Sequence, residues 1–189
     1  MKSESPNLQH KPFLTPIWLT GLAVFAAFAI ALLCVWVWFT ASSTTVIVIR
    51  HAEKETVTAT DPPLSPAGEA RAQLLARMFG EREAAGRLDG IYVSDTLRSR
   101  STAAPLASRL GISATVAPND DSKRLANRVL GENRGKRVMI VGHVNTVPDI
   151  VAALSGRGDI PKMDDKDYGV MYIVTVPRIG RANVLRLNY

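Results

Sequence analysis

The sequence holds one cysteine, Cys34, and three histidines, His10, His51 and His143. A lone cysteine closes no disulfide within the chain, so disulfide-stapled folds are excluded and the redox character of the compartment cannot be read. His10 lies near the N-terminus and Cys34 inside an apolar run, which leaves too few soft ligands for a tetrahedral zinc site. No metal and no cofactor is expected. Aromatic residues make up 6% of the chain and the basic residues are scattered, an unfavourable pattern for stacking and tracking nucleic acid, so no nucleic acid partner is expected. No internal repeat is visible. Charge of one sign is in excess: setting aside Lys2, Lys11 and Glu4 from 23 basic and 17 acidic residues leaves a surplus of five positive charges downstream. That surplus suits an anionic substrate or anionic lipid head groups, and a merely solvated surface accounts for it equally well.

Charge is absent altogether from Ile17 to Phe39. At about 1.5 Å per residue such a helix crosses a hydrocarbon core of about 30 Å with some tilt. Trp18 near one end and Trp36 and Trp38 near the other match the aromatic belts of the two membrane interfaces. The segment is expected to be a transmembrane helix rather than a buried soluble one. A cleaved signal peptide is the main competitor, because a basic start and the small residues Thr40-Ala41-Ser42-Ser43 flank the run. The run exceeds the roughly 7–15 apolar residues usual in such signals, which favours an uncleaved anchor. Leu33 is too large for a lipidation site at Cys34. Lys2 and Lys11 precede the helix and positions 40–49 are uncharged, so the N-terminus is expected inside and the following domain outside, periplasmic if the host is bacterial. Residues 1–16, with three prolines, read as a disordered tail, 40–45 as a short linker, and 46–189 as one domain with room for a sizeable core.

Within that domain strands and helices alternate. The apolar run Val46–Ile49 reads as a buried strand, and Ser65 followed by Pro66 opens a helix to Phe79. A strand over 91–94, a helix over 97–110, a strand over 114–117 and a helix over 122–133 follow. A strand over 137–141, a helix over 146–155, and strands over Val170–Val176 and Ala182–Leu187 joined at Pro177-Arg178-Ile179-Gly180-Arg181 complete the chain. The pattern predicts an α/β, three-layer domain: a mainly parallel sheet with helices on both faces, preceded by one transmembrane helix.

In open α/β sheets ligands sit beyond the carboxyl ends of the strands. Arg50-His51 falls there, immediately after Val46–Ile49, and sets a nucleophile beside a fixed positive charge. Three later segments supply matching parts: Leu64-Ser65-Pro66-Ala67-Gly68-Glu69-Ala70-Arg71, the run from Tyr92-Val93-Ser94-Asp95-Thr96-Leu97-Arg98 to Ala103, and Val141-Gly142-His143-Val144-Asn145-Thr146. In this order they resemble the histidine phosphatase superfamily, which includes small phosphohistidine phosphatases and the larger phosphoglycerate mutases. The resemblance runs from about Thr45 to the C-terminus. It implies His51 as nucleophile, Arg50 and Arg98 as phosphate clamps, and His143 as the second pocket histidine.

The chemistry of these residues agrees with that implication. A neutral imidazole attacks phosphorus in line, while planar guanidinium groups bind phosphoryl oxygens bidentately and offset transition-state charge. His143, after a glycine at a strand end, is expected beside His51 as a donor to the transferring group. Each residue alone is equally at home as a satisfied residue at a strand end.

The leaving-group acid is less defined. The mutase-like branch carries a glutamate after the third strand, where this chain has Pro118-Asn119-Asp120-Asp121. Asp120 and Asp121 are candidates, and either also fits an N-cap for the helix that follows. Glu53 and Asp61 are further carboxylates within reach of the site. If none is well placed, substrates with good leaving groups, such as phosphohistidine or acyl phosphate, are favoured. The loop Asp159–Tyr168 can rim the pocket or be plain charged surface, and no site residue is assigned to it. The chain ends almost at its last strand, without the insertions and tail by which mutases close over phosphoglycerate, so hydrolysis is expected over transfer.

Two functions follow. One is an anchored, metal-independent phosphatase acting through phosphohistidine on a small phosphorylated compound or a lipid-linked phosphate. The other is a non-catalytic membrane protein that binds a phosphorylated ligand in the same pocket.

Overall fold

The computed structural model describes residues 17–57, 60–80, 87–118 and 121–189. The chain forms two compact units, one up to Phe39 and one from Thr40 to Tyr189. The tail expected to be disordered, 1–16, lies outside the described residues.

Helix α1 spans Ile17–Ala41 and is apolar all round; every described side chain from Trp18 to Val37 is exposed. Its length and hydropathy make it a candidate membrane span or signal sequence.

The second unit runs β1(Ser43–Arg50), α2(Pro66–Phe79), β2(Gly90–Val93), α3(Leu97–Leu110), β3(Ala114–Val116), α4(Ser122–Glu132), β4(Arg137–Gly142), α5(Thr146–Ser155), β5(Val170–Pro177) and β6(Asn183–Asn188). Its six strands lie in the order β3-β2-β4-β1-β5-β6. The β3-β2-β4-β1 part is parallel, while β5 runs antiparallel to both β1 and β6. The closing hairpin is therefore a mixed edge on the parallel sheet.

Residues 40–45 do not form a free linker. Thr40 and Ala41 end α1, and β1 starts three residues before the apolar run, at Ser43. Two threonines explain the early start. Thr45 donates its N–H to Lys136 O at 3.0 Å, and Thr44 Oγ1 donates to Asn133 O and accepts from Gly135 N. These bonds tie the entry of β1 to the turn before β4.

Side-chain alternation along β1 builds the three layers. Val46 and Val48 pack with Leu125 and Val129 of α4 and Ile150 and Val151 of α5. Ile47 and Ile49 pack on the other face with Leu75 of α2 and Leu106 of α3. Each such side chain, fully removed from water, contributes about 1.5–3 kcal/mol. Both faces being covered, β1 is a continuous apolar run rather than a half-polar one. The carboxyl ends of β1, β2 and β4 share one edge of the sheet.

Candidate active site

Strand β1 delivers Arg50 and His51 to that edge. His51 N–H donates to Gly142 O at 2.9 Å, so the ladder with β4 holds the backbone one residue past the strand. Both residues are buried, at 5% and 4% relative exposure. Arg50 keeps the parity of Val46 and Val48 and turns to the segment after α5. There its Nη1 donates to Asp165 O at 2.8 Å and Asp164 O at 3.3 Å, and its guanidinium carbon lies 4.0 Å from the centre of the Tyr168 ring. The Asp159–Tyr168 loop, which the sequence alone leaves as charged surface or rim, thus rims the site and fixes Arg50. Its signal in the sequence was weak, since Tyr168 sits in a charged loop without periodicity.

His51 Nδ1 lies 2.8 Å from the carbonyl oxygen of Ala52. A carbonyl only accepts, so Nδ1 carries the proton and Nε2 keeps the free lone pair. Burial, with further lowering by His143, Arg50 and Arg98, outweighs the carbonyl bond and brings the His51 pKa down to about 4. At neutral pH the imidazole is uncharged, with Nε2 as a nucleophilic atom.

Helix α3 brings Arg98 in its first turn. Ser94, Thr96 and Ser99 join their hydroxyls at 2.7–3.1 Å and brace the β2–α3 turn, in place of a side-chain cap at Thr96. Thr102 Oγ1 donates to Arg98 O at 2.7 Å and accepts from Ala52 N at 2.9 Å. One hydroxyl therefore couples the residue after His51 to the helix carrying Arg98. Thr102 lies within the Tyr92–Ala103 run, where nothing in the residue pattern sets it apart.

His143 follows β4, and its ring centre lies 5.2 Å from that of His51. Its N–H donates to Thr146 Oγ1 at 3.0 Å, which fixes the turn into α5. Gly142 leaves room for this turn: a Cβ would stand 3.0 Å from Thr146 Oγ1 and 3.3 Å from Val147 Cγ2, a tight fit. Burial and then the charge of Arg98 lower the His143 pKa, while Asp95 opposes the shift.

Two guanidinium N–H groups are left over. Nε of Arg50 and Nε of Arg98 are buried and have no hydrogen-bond partner among the described residues. A buried orphan donor on a charged group costs several kcal/mol unless a ligand or water accepts from it. A tetrahedral oxyanion supplies acceptors of the right charge.

Of the candidate acids, Glu53 and Asp121 have other duties. Arg71 grips both oxygens of Glu53 at 2.6–3.0 Å. Burial raises the Glu53 pKa, but the Arg71 bonds outweigh it and hold the carboxyl below its ordinary value, the wrong direction for a proton donor. Asp121 is the N-cap of α4, accepting from Arg124 N at 2.9 Å. Asp120 lies outside the described residues. Asp61 accepts from Leu97 N at 2.7 Å and from Arg98 Nη1 at 3.2 Å, so it orients the clamp. Among the described residues, no group of three or more His, Cys, Asp or Glu gathers as a metal site.

Residues 46–136 match the model of the histidine phosphatase superfamily, branch 1. No curated protein matches the sequence. Among solved structures, the protein histidine phosphatase SixA complexed with tungstate is 21% identical, with a TM-score of 0.62, over 76% of this chain and 96% of its own. A mycobacterial glucosyl-3-phosphoglycerate phosphatase is 15% identical, with a TM-score of 0.60, over 77% and 99%. A second mycobacterial structure, hydrolase 1, is 15% identical with a TM-score of 0.60 over 78% and 99%. At these identities the structures establish the shared fold. Residues 46–136 thus carry the likeness to the histidine phosphatase superfamily, branch 1, and the domain around them has the fold of these solved structures.

Proposed function

We propose that the domain is a metal-independent phosphatase that works through a phosphohistidine on His51. The observation that carries this reading is the pair of orphaned, buried N–H groups of Arg50 and Arg98, whose charges both act on a neutral imidazole. His51 Nε2 attacks phosphorus, the P–N bond forms as the bond to the leaving group breaks, and that group departs with the electron pair and takes a proton. Arg50, Arg98 and an N–H of His143 hold the equatorial oxygens, where the charge of a loose transition state spreads. Water then attacks the phosphohistidine, and phosphate leaves with His51 restored.

The acid is assigned to Asp120, since Glu53 and Asp121 are engaged elsewhere. The substrate is a small phosphorylated compound or a lipid-linked phosphate. SixA is a protein histidine phosphatase, and its tungstate is a tetrahedral oxyanion of the kind this donor set suits. We further propose that α1 anchors the chain with its N-terminus inside and the domain outside, because Lys2 and Lys11 flank the N-terminal end of an uncharged run. Protease added to sealed right-side-out vesicles degrades the domain in that orientation and spares it in the other.

The first test is hydrolysis of a phosphomonoester panel and an activated aryl phosphate in the presence of chelator. Turnover is expected, and His51→Ala should abolish it together with an acid-labile, base-stable phosphoenzyme. Tight phosphate binding without turnover would instead favour a ligand-binding protein.

A further inference from the structure

The edge of the sheet opposite the active site carries a different chemistry. There the chain passes from α1 into β1 through Ser42, and the segments before β2, before β4 and between β5 and β6 meet. Those segments expose Arg87, Arg134, Lys136, Arg137, Arg178 and Arg181. Among the described residues of those segments Asp89 is acidic, and its carboxylate accepts from the backbone N–H of Arg137. The turn between β5 and β6 adds Ile179, 67% exposed at the tip and flanked by Arg178 and by Gly180-Arg181. An exposed branched aliphatic side chain between two guanidinium groups matches the interface of a charged bilayer, apolar below and anionic above.

The basic side chains are held close to the point of entry. Gly135, with φ of +72°, lies with its Cβ position 3.4 Å from Ser42 Cβ and donates to Thr44 Oγ1 at 3.0 Å, so Arg134 and Lys136 flank the start of β1. Pro177 pairs in register with Ser43, which brings the Ile179 turn to the same place. A surface in which α1 ends is within two or three residues of Ser43, a reach of about 10 Å at most. The opposite edge carries Asp61, Asp95, Asp164, Asp165 and Asp167 around the catalytic residues.

We propose that this basic, Ile179-tipped edge docks on anionic phospholipid head groups. The proposal rests on α1 spanning the membrane. It deepens the functional reading as well: β1, eight residues long, holds His51 about 25 Å above the docked edge, so the substrate arrives from the aqueous phase and not from the same bilayer. Each basic side chain near the surface adds about fivefold to the preference for anionic lipid.

The test uses the full chain with Cys34→Ser, reconstituted in nanodiscs of phosphatidylcholine with or without phosphatidylglycerol, carrying an environment-sensitive fluorophore at Ile179→Cys. A blue shift is expected in the phosphatidylglycerol discs, reversed by high salt and by combined Arg134→Glu, Lys136→Glu and Arg181→Glu. The same label at Thr56→Cys, beyond β1 at the catalytic edge, is expected to stay unshifted. Turnover of a soluble phosphomonoester by the triple variant is expected to be unchanged. Chain inserted in the discs with a label at 179 that ignores lipid charge, or a shift at position 56 instead, overturns the docking. Chain recovered outside the discs overturns the anchor and the docking together.

Discussion

His51 illustrates how burial selects a protonation state. Desolvation disfavours the imidazolium, and the nearby guanidinium groups add to the effect, so the folded-state pKa falls to about 4. The reactive form is the neutral one, and activity is lost only as pH falls through that lowered value. The acid limb of kcat/KM, which reports the free enzyme, is therefore expected near pH 4, with a plateau across the pH range where an ordinary histidine is half protonated. An acid limb at pH 6–7, in protein that regains activity on return to neutral pH, would show that the nucleophile is not desolvated. Arg50 is restrained in a different way, by two backbone carbonyls and the Tyr168 ring. A cation over a partly desolvated ring contributes on the order of 1 kcal/mol. Tyr168→Leu is thus expected to raise KM and the inhibition constant of phosphate about fivefold, with kcat nearly unchanged, because Arg50 holds the phosphoryl oxygens in ground and transition states alike.

Between elements, the contact that sets the loop after β1 is that of α2 with Glu53. Ser65 caps α2 through Gly68 N and donates its own N–H to Glu53 O at 3.0 Å. A Cβ on Gly68 would land on that same carbonyl oxygen. Gly68→Ala must push α2 away from the backbone two residues past the nucleophile, an overpacking cost of about 1–3 kcal/mol. A fall in Tm of about 3–10 °C and a loss of phosphatase activity are expected, read by thermal melting and aryl phosphate turnover. The sequence made α2 plain through Ser65-Pro66, and α3 and α5 have the limits the residue pattern predicts, each closed by a left-handed glycine, Gly111 and Gly156. It gave no sign of the start of β1, where polar Thr44 and Thr45 pair through backbone and hydroxyl bonds invisible to a hydrophobic pattern. Arg50, His51, Arg98 and His143, which meet at one edge of the sheet, were marked in the sequence by the resemblance to the histidine phosphatase superfamily. Tyr168, Thr102 and Arg71 were not, because each acts through a partner distant in sequence: Arg50, Ala52 and Glu53 respectively. Asp121 was ambiguous by nature, since a carboxylate before a helix reads as cap or acid until its Arg124 bond is seen.

At the level of the whole chain, the functional parts divide along the two compact units. Among the described residues, the side chains that touch His51 or hold Arg50, Arg98 and His143 lie after Thr40, and the apolar clusters on both faces of the sheet are drawn from the same unit. Helix α1 contributes an uncovered apolar surface, a candidate membrane span or signal sequence. If chemistry and address are separable in this way, removing 1–41 should leave the intrinsic reaction intact. A chain beginning at Ser42 keeps the Thr44 bonds to Asn133 and Gly135 that close the entry of β1, so the sheet has no reason to fray there. For this truncated chain, kcat/KM toward a soluble aryl phosphate is expected to lie within about twofold of the full chain in detergent, and partition into vesicles of neutral phosphatidylcholine is expected to fall to background. A large loss of kcat/KM with an unchanged melting temperature would mean that α1 completes the site, and the division of labour between the units would have to be abandoned.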